Sequence, residues 1–179
     1  LRLTFCPDSS HKSEEGRQNS YKNIIFAKNA KGYKQLIKIY TLAAQDGFYY
    51  EPRIDFERLK PLWSNDLLLA IPFYDSFLYK NKYTNSQCVP DFSFTEPVFF
   101  CEDNDVLLDK DMQERVSNHC SDKYKIIKTK SIYYKHRKDF SAYLTFRCIN
   151  GRTNVEKPNF DGMCSPEFCY ESYSEVING

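Results

Sequence analysis

The stretch NIIFAKNAKGYKQLIKIYTLAAQDGFYYEPRIDFERL, residues 23–59, lays out a strand, a helix, a corner and a second helix start in one run. Its opening, NIIFAKN, reads as a short apolar strand. Asn29 follows as an N-cap, a side chain able to accept hydrogen bonds from the free amides of a helix start. Tyr33, Leu36, Ile37, Tyr40 and Ala44 then recur at three-four spacing, which predicts a helix with these residues as its apolar stripe. Gly47 suits the left-handed position after a helix, and Pro52 pushes Glu51 into an extended conformation. Asp55 caps a second short helix carrying Phe56 and Leu59. Phe48, Tyr49 and Tyr50 fall between Gly47 and Pro52 and read as packing at a helix-to-helix corner, with the two hydroxyls facing water or a partner. Base stacking is the competing use of such aromatics.

Working outward, DLLLAI (Asp66 to Ile71) is a buried strand ended by Pro72, and PVFFCED (Pro97 to Asp103) repeats the pattern. Continuous apolar runs of this length suit parallel strands covered on both faces. Asp109 is placed to cap a helix whose inner face is Met112, Val116 and Cys120, with Glu114 and Arg115 toward solvent. KIIKTKSIYY (Lys125 to Tyr134) reads as another strand. In KDFSAYLTFRCI, Phe140, Tyr143, Leu144, Arg147 and Cys148 keep helical spacing. PDSSHKSEEGRQNS, residues 7–20, is the polar loop, and the segments 80–97 and 150–166 are long and irregular. The alternation of strand and helix implies an α/β architecture with a mainly parallel sheet. No linker divides the chain, so a single domain over 1–179 is expected.

Composition narrows the function classes. The 179 residues are 41% apolar and carry a net charge of +1, so no global field draws the chain to nucleic acid or an anionic membrane. No window approaches the roughly 18 consecutive apolar residues of a membrane helix. The start, LRLTFCPDSSHKSEEG, lacks the basic flank and apolar run of a secretory signal and has no initiator methionine. The expectation is a segment of a longer chain or a truncated reading frame. The 7 cysteines are odd in number and without tight pairs. His119-Cys120 and Cys164/Cys169 are the nearest approaches to zinc-ligand spacing, and buried reduced thiols of a cytosolic protein are the reading preferred over zinc.

The usual catalytic signatures are absent: there is no glycine-rich phosphate loop, no G-x-S-x-G and no H-E-x-x-H. His11, His119 and His136 each sit in a charged neighbourhood that fits solvated side chains. The acids of CEDND, residues 101–105, follow a strand and could hold Mg²⁺ or Ca²⁺, although a solvated turn and helix start is the preferred reading. In KYKIIKTKSIYYKHRKDF, Lys128, Lys130, Lys135 and Arg137 interleave with tyrosines, a pattern that can pair phosphates and stack bases. The alternation of an ordinary half-exposed strand accounts for the same residues.

Three of these stretches resemble the polymerase-and-histidinol-phosphatase (PHP) domain at the front of bacterial DNA polymerase III alpha subunits, the family C replicative polymerases. NIIFAKNAKGYKQLIKIYTLAAQDGFYYEPRIDFERL is similar to that domain's strand-helix-turn, including the AKN..GY entry and the GFYY.PRID exit. KTKSIYYKHRKDFSAYLTFRCI resembles the later strand and helix, where the family writes TNDVHYL. SPEFCYESYSEV resembles its closing hairpin and helix start. The stretches keep the family's order, with 1–71 and 124–179 the best matched parts and 72–123 a divergent middle. The resemblance implies part of a distorted β/α barrel lacking its N-terminal strands, as one partial PHP-like domain.

Intact domains of this family hold metal-binding His, Asp and Glu residues at the strand ends. Here the glutamate of the G.E strand falls at Arg2. The histidine before the AKN strand falls at Lys22, or at Tyr21 with a slip of one. The D-x-H pair falls at Ser131 and Tyr133, anchored by Thr129 and Tyr134. Lysine and arginine are cationic near neutrality and repel a metal ion, and neutral hydroxyls are weak donors. The resemblance therefore implies a degenerate metal site, no catalytic residue and no cofactor in this segment. It implies a structural or docking role in DNA replication, packed on the polymerase palm, with a proofreading exonuclease subunit as a further partner and contact with DNA only indirect. Mg or Mn would serve the parent polymerase, a nucleotidyltransferase of the cytoplasm of a bacterial or phage-infected cell. Two alternatives stand beside this. One is a metal-dependent phosphoesterase or 3′-5′ proofreading exonuclease using Zn or Mn, and the other a free-standing polymerase-derived interaction protein.

Overall fold

In the computed structural model, which describes residues 1–102, 107–152 and 165–178, Asn29 caps its helix as its side chain predicts. Its Oδ1 accepts from the amides of Lys31 (2.9 Å) and Gly32 (3.0 Å). In chain order the elements are β1 (Arg2–Phe5), α1 (Glu14–Gln18), β2 (Tyr21–Ala27), α2 (Ala30–Gln45), β3 (Arg53–Ile54), α3 (Phe56–Leu59), β4 (Leu67–Ile71), α4 (Phe77–Tyr83), β5 (Val98–Glu102), α5 (Leu107–Cys120), β6 (Lys125–Thr129), α6 (Phe140–Gly151) and α7 (Tyr170–Asn178). Short 3₁₀ turns follow α3 and precede α6. The chain divides into two compact units, Leu1–Cys101 with Asp111–Ile127, and Glu102–Lys110 with Lys128–Gly179.

The strands hydrogen-bond in the order β3-β1-β2-β4-β5-β6, an open sheet. β1 runs parallel to β3, and β4 parallel to β5, while β2 is antiparallel to both β1 and β4. Of β1 to β5, only β2 is therefore reversed, and the sheet is mostly parallel within a mixed α/β fold. The register sorts side chains onto two faces, because paired residues point the same way. Leu3, Phe5, Tyr21, Ile25, Ile54, Leu69 and Phe99 lie on the buried face. Phe56 of α3 meets Phe5 at 5.1 Å between ring centroids, and Phe77 of α4 meets Tyr21 at 5.9 Å, so both helices cover this face. The other face carries Arg2, Thr4, Lys22, Ile24 and Phe26, and there Phe26 remains 43% exposed.

Several expectations change in detail. The stripe of α2 that is buried is Gly32, Ile39 and Ala43, whereas Tyr33 (62% exposed), Ile37 (51%) and Tyr40 (48%) face outward. The close approach of α2 to the start of β4 explains this choice: a methyl group at Gly32 would stand 2.3 Å from the Asp66 carbonyl oxygen. Only a residue without Cβ lets the helix settle there, and the bulky rings are left outside. Gly47 does not adopt the left-handed conformation, for no glycine among the described residues has positive φ. A Cβ at Gly47 would lie 2.0 Å from the Arg53 carbonyl oxygen, so close backbone approach is the requirement. The corner after it joins a helix to strand β3 rather than to a helix, and Asp55 caps α3 only after that strand. The polar run 7–20 contains the short helix α1, capped by Ser13. The strand expected to reach Tyr134 ends at Thr129, and α5 begins two residues before Asp109, which is buried in its first turn.

In the second unit Tyr134 bridges Cys169 in parallel fashion, and the Tyr134 hydroxyl donates to the Ser165 carbonyl at 2.5 Å. Tyr133 stacks on Tyr143 of α6 at 5.5 Å, with Phe168 edge-on at 5.6 Å. Phe168, Cys169 and Cys148 form its buried centre. The expected irregular segment 150–166 lies largely outside the described residues.

Candidate functional site

On the less covered sheet face, β1 sets Thr4 directly beside Lys22 of β2 and Arg53 of β3, with Arg2 one pleat along. The Lys22 ammonium donates to the Thr4 hydroxyl and to the Glu51 carboxylate. Partial burial would push the Glu51 carboxyl upward, yet its bond to Lys22 and that cation's field outweigh this and hold it below the ordinary carboxylate value. Arg2 donates to Asp75 at 2.7 Å, and the carbonyl of the same Asp75 accepts from the Lys22 amide at 2.8 Å. Asp75 achieves both by taking φ 62°, a left-handed conformation that aspartate tolerates better than most residues. Arg2 and Lys22, two of the positions the sequence resemblance would set at metal ligands, thus share one face, and each holds a carboxylate.

The aromatic corner stands beside this row. Tyr49 pairs with Glu51 across a tight turn in which Tyr50 is left-handed at φ 62°. Four side chains follow in series: the Arg53 guanidinium 5.0 Å from the Tyr49 ring, Tyr49 edge-on to Tyr50 at 4.7 Å, and Arg17 4.8 Å from Tyr50. Cation–π attraction along this series opposes the backbone strain at Tyr50. Arg53 is only 1% exposed; its Nε donates to the Gly47 carbonyl at 3.1 Å and Nη2 to that of His11 at 3.3 Å. Its Nη1 is buried without a partner, as are both amide atoms of Asn23 on the core face. Nothing in the sequence marked Arg53 or Glu51 as site residues.

Ser131 and Tyr133 belong to the second unit. Ser131 is held by Glu102, which accepts from its amide at 2.8 Å and its hydroxyl at 2.6 Å. Glu102, one of the CEDND acids, is 5% exposed, while residues 103–106 lie outside the described set. Arg137 grips Glu175 at 2.6 Å through both terminal nitrogens and Glu167 at 3.2 Å, and its amide donates to Glu171 at 2.8 Å. His136 Nδ1 lies 2.8 Å from Glu171. The hydrogen bond from the Arg137 amide, followed by that to His136, holds Glu171 below the ordinary glutamate range. Arg137 thus ties α7 to the turn before α6. Lys128 and Lys135 are exposed and Lys130 is half-buried.

The row of Lys22, Thr4 and Arg53 does not fit a divalent metal. An ammonium group has no lone pair to offer and stands where a ligand would have to be. Among the described residues no three His, Cys, Asp or Glu side chains converge as a metal site, and no helix is long and apolar enough to cross a membrane.

No protein-family model matches the chain. Part of it is similar to subunits of DNA polymerase. Over 50 residues it is 48% identical to DNA polymerase III subunit alpha of Aquifex aeolicus, a match covering 27% of this chain and 4% of that protein. Over 49 residues it is 43% identical to DNA polymerase III subunit alpha of Borreliella burgdorferi, again 27% of this chain and 4% of the relative. The matched stretch therefore spans only a small fraction of either relative's length.

Proposed function

We propose that the chain is a segment related to a replicative DNA polymerase III alpha subunit. It corresponds to part of a PHP-type β/α barrel whose metal positions have become cationic, and it serves as a structural and docking module. The observation that carries this reading is Lys22 bound between Thr4 and Glu51, at the position where the resemblance places the family's metal-ligating histidine, or one residue after it. The lysine's charge takes the place of the ion's and anchors β2 to β1 and the corner before β3. The role needs no cofactor of its own, and Mg or Mn would belong to the parent polymerase. Docking to the palm and to a proofreading exonuclease subunit is supported by the outward apolar side chains of α2, Tyr33, Ile37 and Tyr40. The bacterial or phage-infected cytoplasm follows from that assignment.

The test is metal content by mass spectrometry together with phosphatase and 3′ exonuclease assays on the full chain with Mn²⁺ or Zn²⁺. The expected result is no stoichiometric metal and no metal-dependent turnover. Turnover that requires added metal would overturn the proposal and restore the phosphoesterase reading.

A further inference from the structure

A cleft of about 1050 Å³ in the first unit lies between the loop 90–96, the segment around Trp63 and the residues entering β6. Its size is at the upper end of the roughly 300–1,000 Å³ usual for small-ligand sites. Four aromatic side chains line it, Trp63, Phe92, Phe94 and Tyr124, and all four are only half-buried. They are set edge to face in pairs, Trp63 with Phe94 at 5.5 Å and Phe92 with Tyr124 at 5.9 Å. Such pairs fix ring orientation while leaving part of each ring's surface open to the cleft.

The charges of the lining are sorted. Asp91 is satisfied by Lys60 at 2.6 Å and by the Ser93 amide at 2.9 Å, which also fixes the loop. Lys28 donates to the Asn65 carbonyl at 2.9 Å, and the Lys123 ammonium lies 4.9 Å from the Tyr124 ring. Neither lysine forms an ion pair among the described residues, so both keep capacity for an anion. Glu96 is the remaining acid on the lining and is exposed. Half-buried rings beside two lysines that keep capacity for an anion favour a flat aromatic body carrying negative charge.

We propose that this cleft binds a nucleotide unit, its base stacked on the aromatic rings and its phosphate drawn by Lys28 and Lys123. The unit can come from a free nucleotide or from within a single strand of DNA. The site is independent of Lys128, Lys130, Lys135 and Arg137, none of which lines it.

Trp63 is the chain's single tryptophan, so its fluorescence reports on this cleft alone. The full chain is titrated with thymidine, with dTMP and with an oligothymidylate. Saturable quenching by dTMP marks a free-nucleotide site. Quenching by the oligonucleotide alone, weakening with salt, marks a single-strand site, and either result supports the proposal. Thymidine is expected to bind at least about tenfold more weakly than the phosphorylated probe, and the double variant Lys28→Gln, Lys123→Gln to lose about tenfold, as loss of roughly 1.4 kcal/mol requires. Phe94→Leu, which keeps the bulk but removes a stacking ring, is expected to weaken binding with the lysines intact. Absence of quenching up to millimolar probe would overturn the inference. So would equal affinity of wild type and the double lysine variant, whatever the outcome of the metal assays.

Discussion

Replacing Gly47 with alanine separates two explanations of why a glycine ends α2. At an ordinary helix end with negative φ, Gly→Ala stabilises by about 0.4–1 kcal/mol, because the unfolded chain loses freedom. Here the added carbon would stand 2.0 Å from the Arg53 carbonyl oxygen and 3.2 Å from that of Ala43. Both obstacles are backbone, so no side chain can swing aside, and the strand must retreat by about 1 Å or more to reach tolerable contact. Such overpacking costs about 1–3 kcal/mol. The retreat also stretches the 3.1 Å bond from Arg53 Nε to the Gly47 carbonyl. Arg53 already has one buried nitrogen without a partner, and orphaning a second donor of a buried cation adds about 1–3 kcal/mol. After the entropy gain is subtracted, Gly47→Ala should destabilise by about 1–5 kcal/mol. Urea unfolding followed by circular dichroism should show a lower midpoint with an unchanged slope. Gly16→Ala is the milder comparison, since the nearest backbone atom its Cβ would meet is the His11 carbonyl oxygen at 3.9 Å, an ordinary contact, and otherwise only the Ser13 cap hydroxyl at 3.2 Å. A Gly47→Ala protein as stable as wild type would refute the close-approach argument and return Gly47 to the role of a simple helix end.

Two further perturbations probe the sheet. Asn23 is wholly buried between Leu3 of β1 and β4, with neither amide atom partnered, so the nearly isosteric Asn23→Leu should stabilise the fold by about 1–3 kcal/mol in the same urea assay; destabilisation would mean that the amide is satisfied by buried water. Glu51→Gln tests the bond to Lys22 through pH. The folded carboxyl titrates below its ordinary 4.5, so its contribution is present above that value and is lost as pH falls through the depressed folded value. Because the Glu51 side chain is 47% exposed, the difference between wild type and variant should stay under about 1 kcal/mol at neutral pH and vanish in acid. A difference that stays constant as the pH is lowered further and further would assign it to packing instead.

What the sequence conveyed was local, and what it concealed was proximity. Asn29, Asp55 and the apolar runs around Leu69 and Phe99 act through their nearest neighbours in the chain, and each performs as its chemistry predicts. The inner stripe of α2 depends instead on how near that helix comes to Asp66, a distance that no periodicity encodes, so the three-four pattern picked out the outer face. The same holds for the site. The resemblance pointed to Lys22 or Tyr21, but the partners of Lys22, Thr4 and Glu51, come from separate strands and turns joined only by register. Arg53 was hidden for a further reason: a buried arginine satisfied mainly by carbonyl oxygens has no acidic residue elsewhere in the sequence to betray it.

The solitary reversed strand has a consequence for the order in which the fold assembles. β1 and β4 do not hydrogen-bond to each other; β2 lies between them and hydrogen-bonds along both of its edges. β1–β2 is also the pairing with the shortest intervening loop, closed at the least entropic cost, while β1–β3 must wait for the whole of α2. β2 therefore serves as the template of the nascent sheet, and Lys22, which rivets it to both β1 and the turn before β3, sits where early and late contacts are joined.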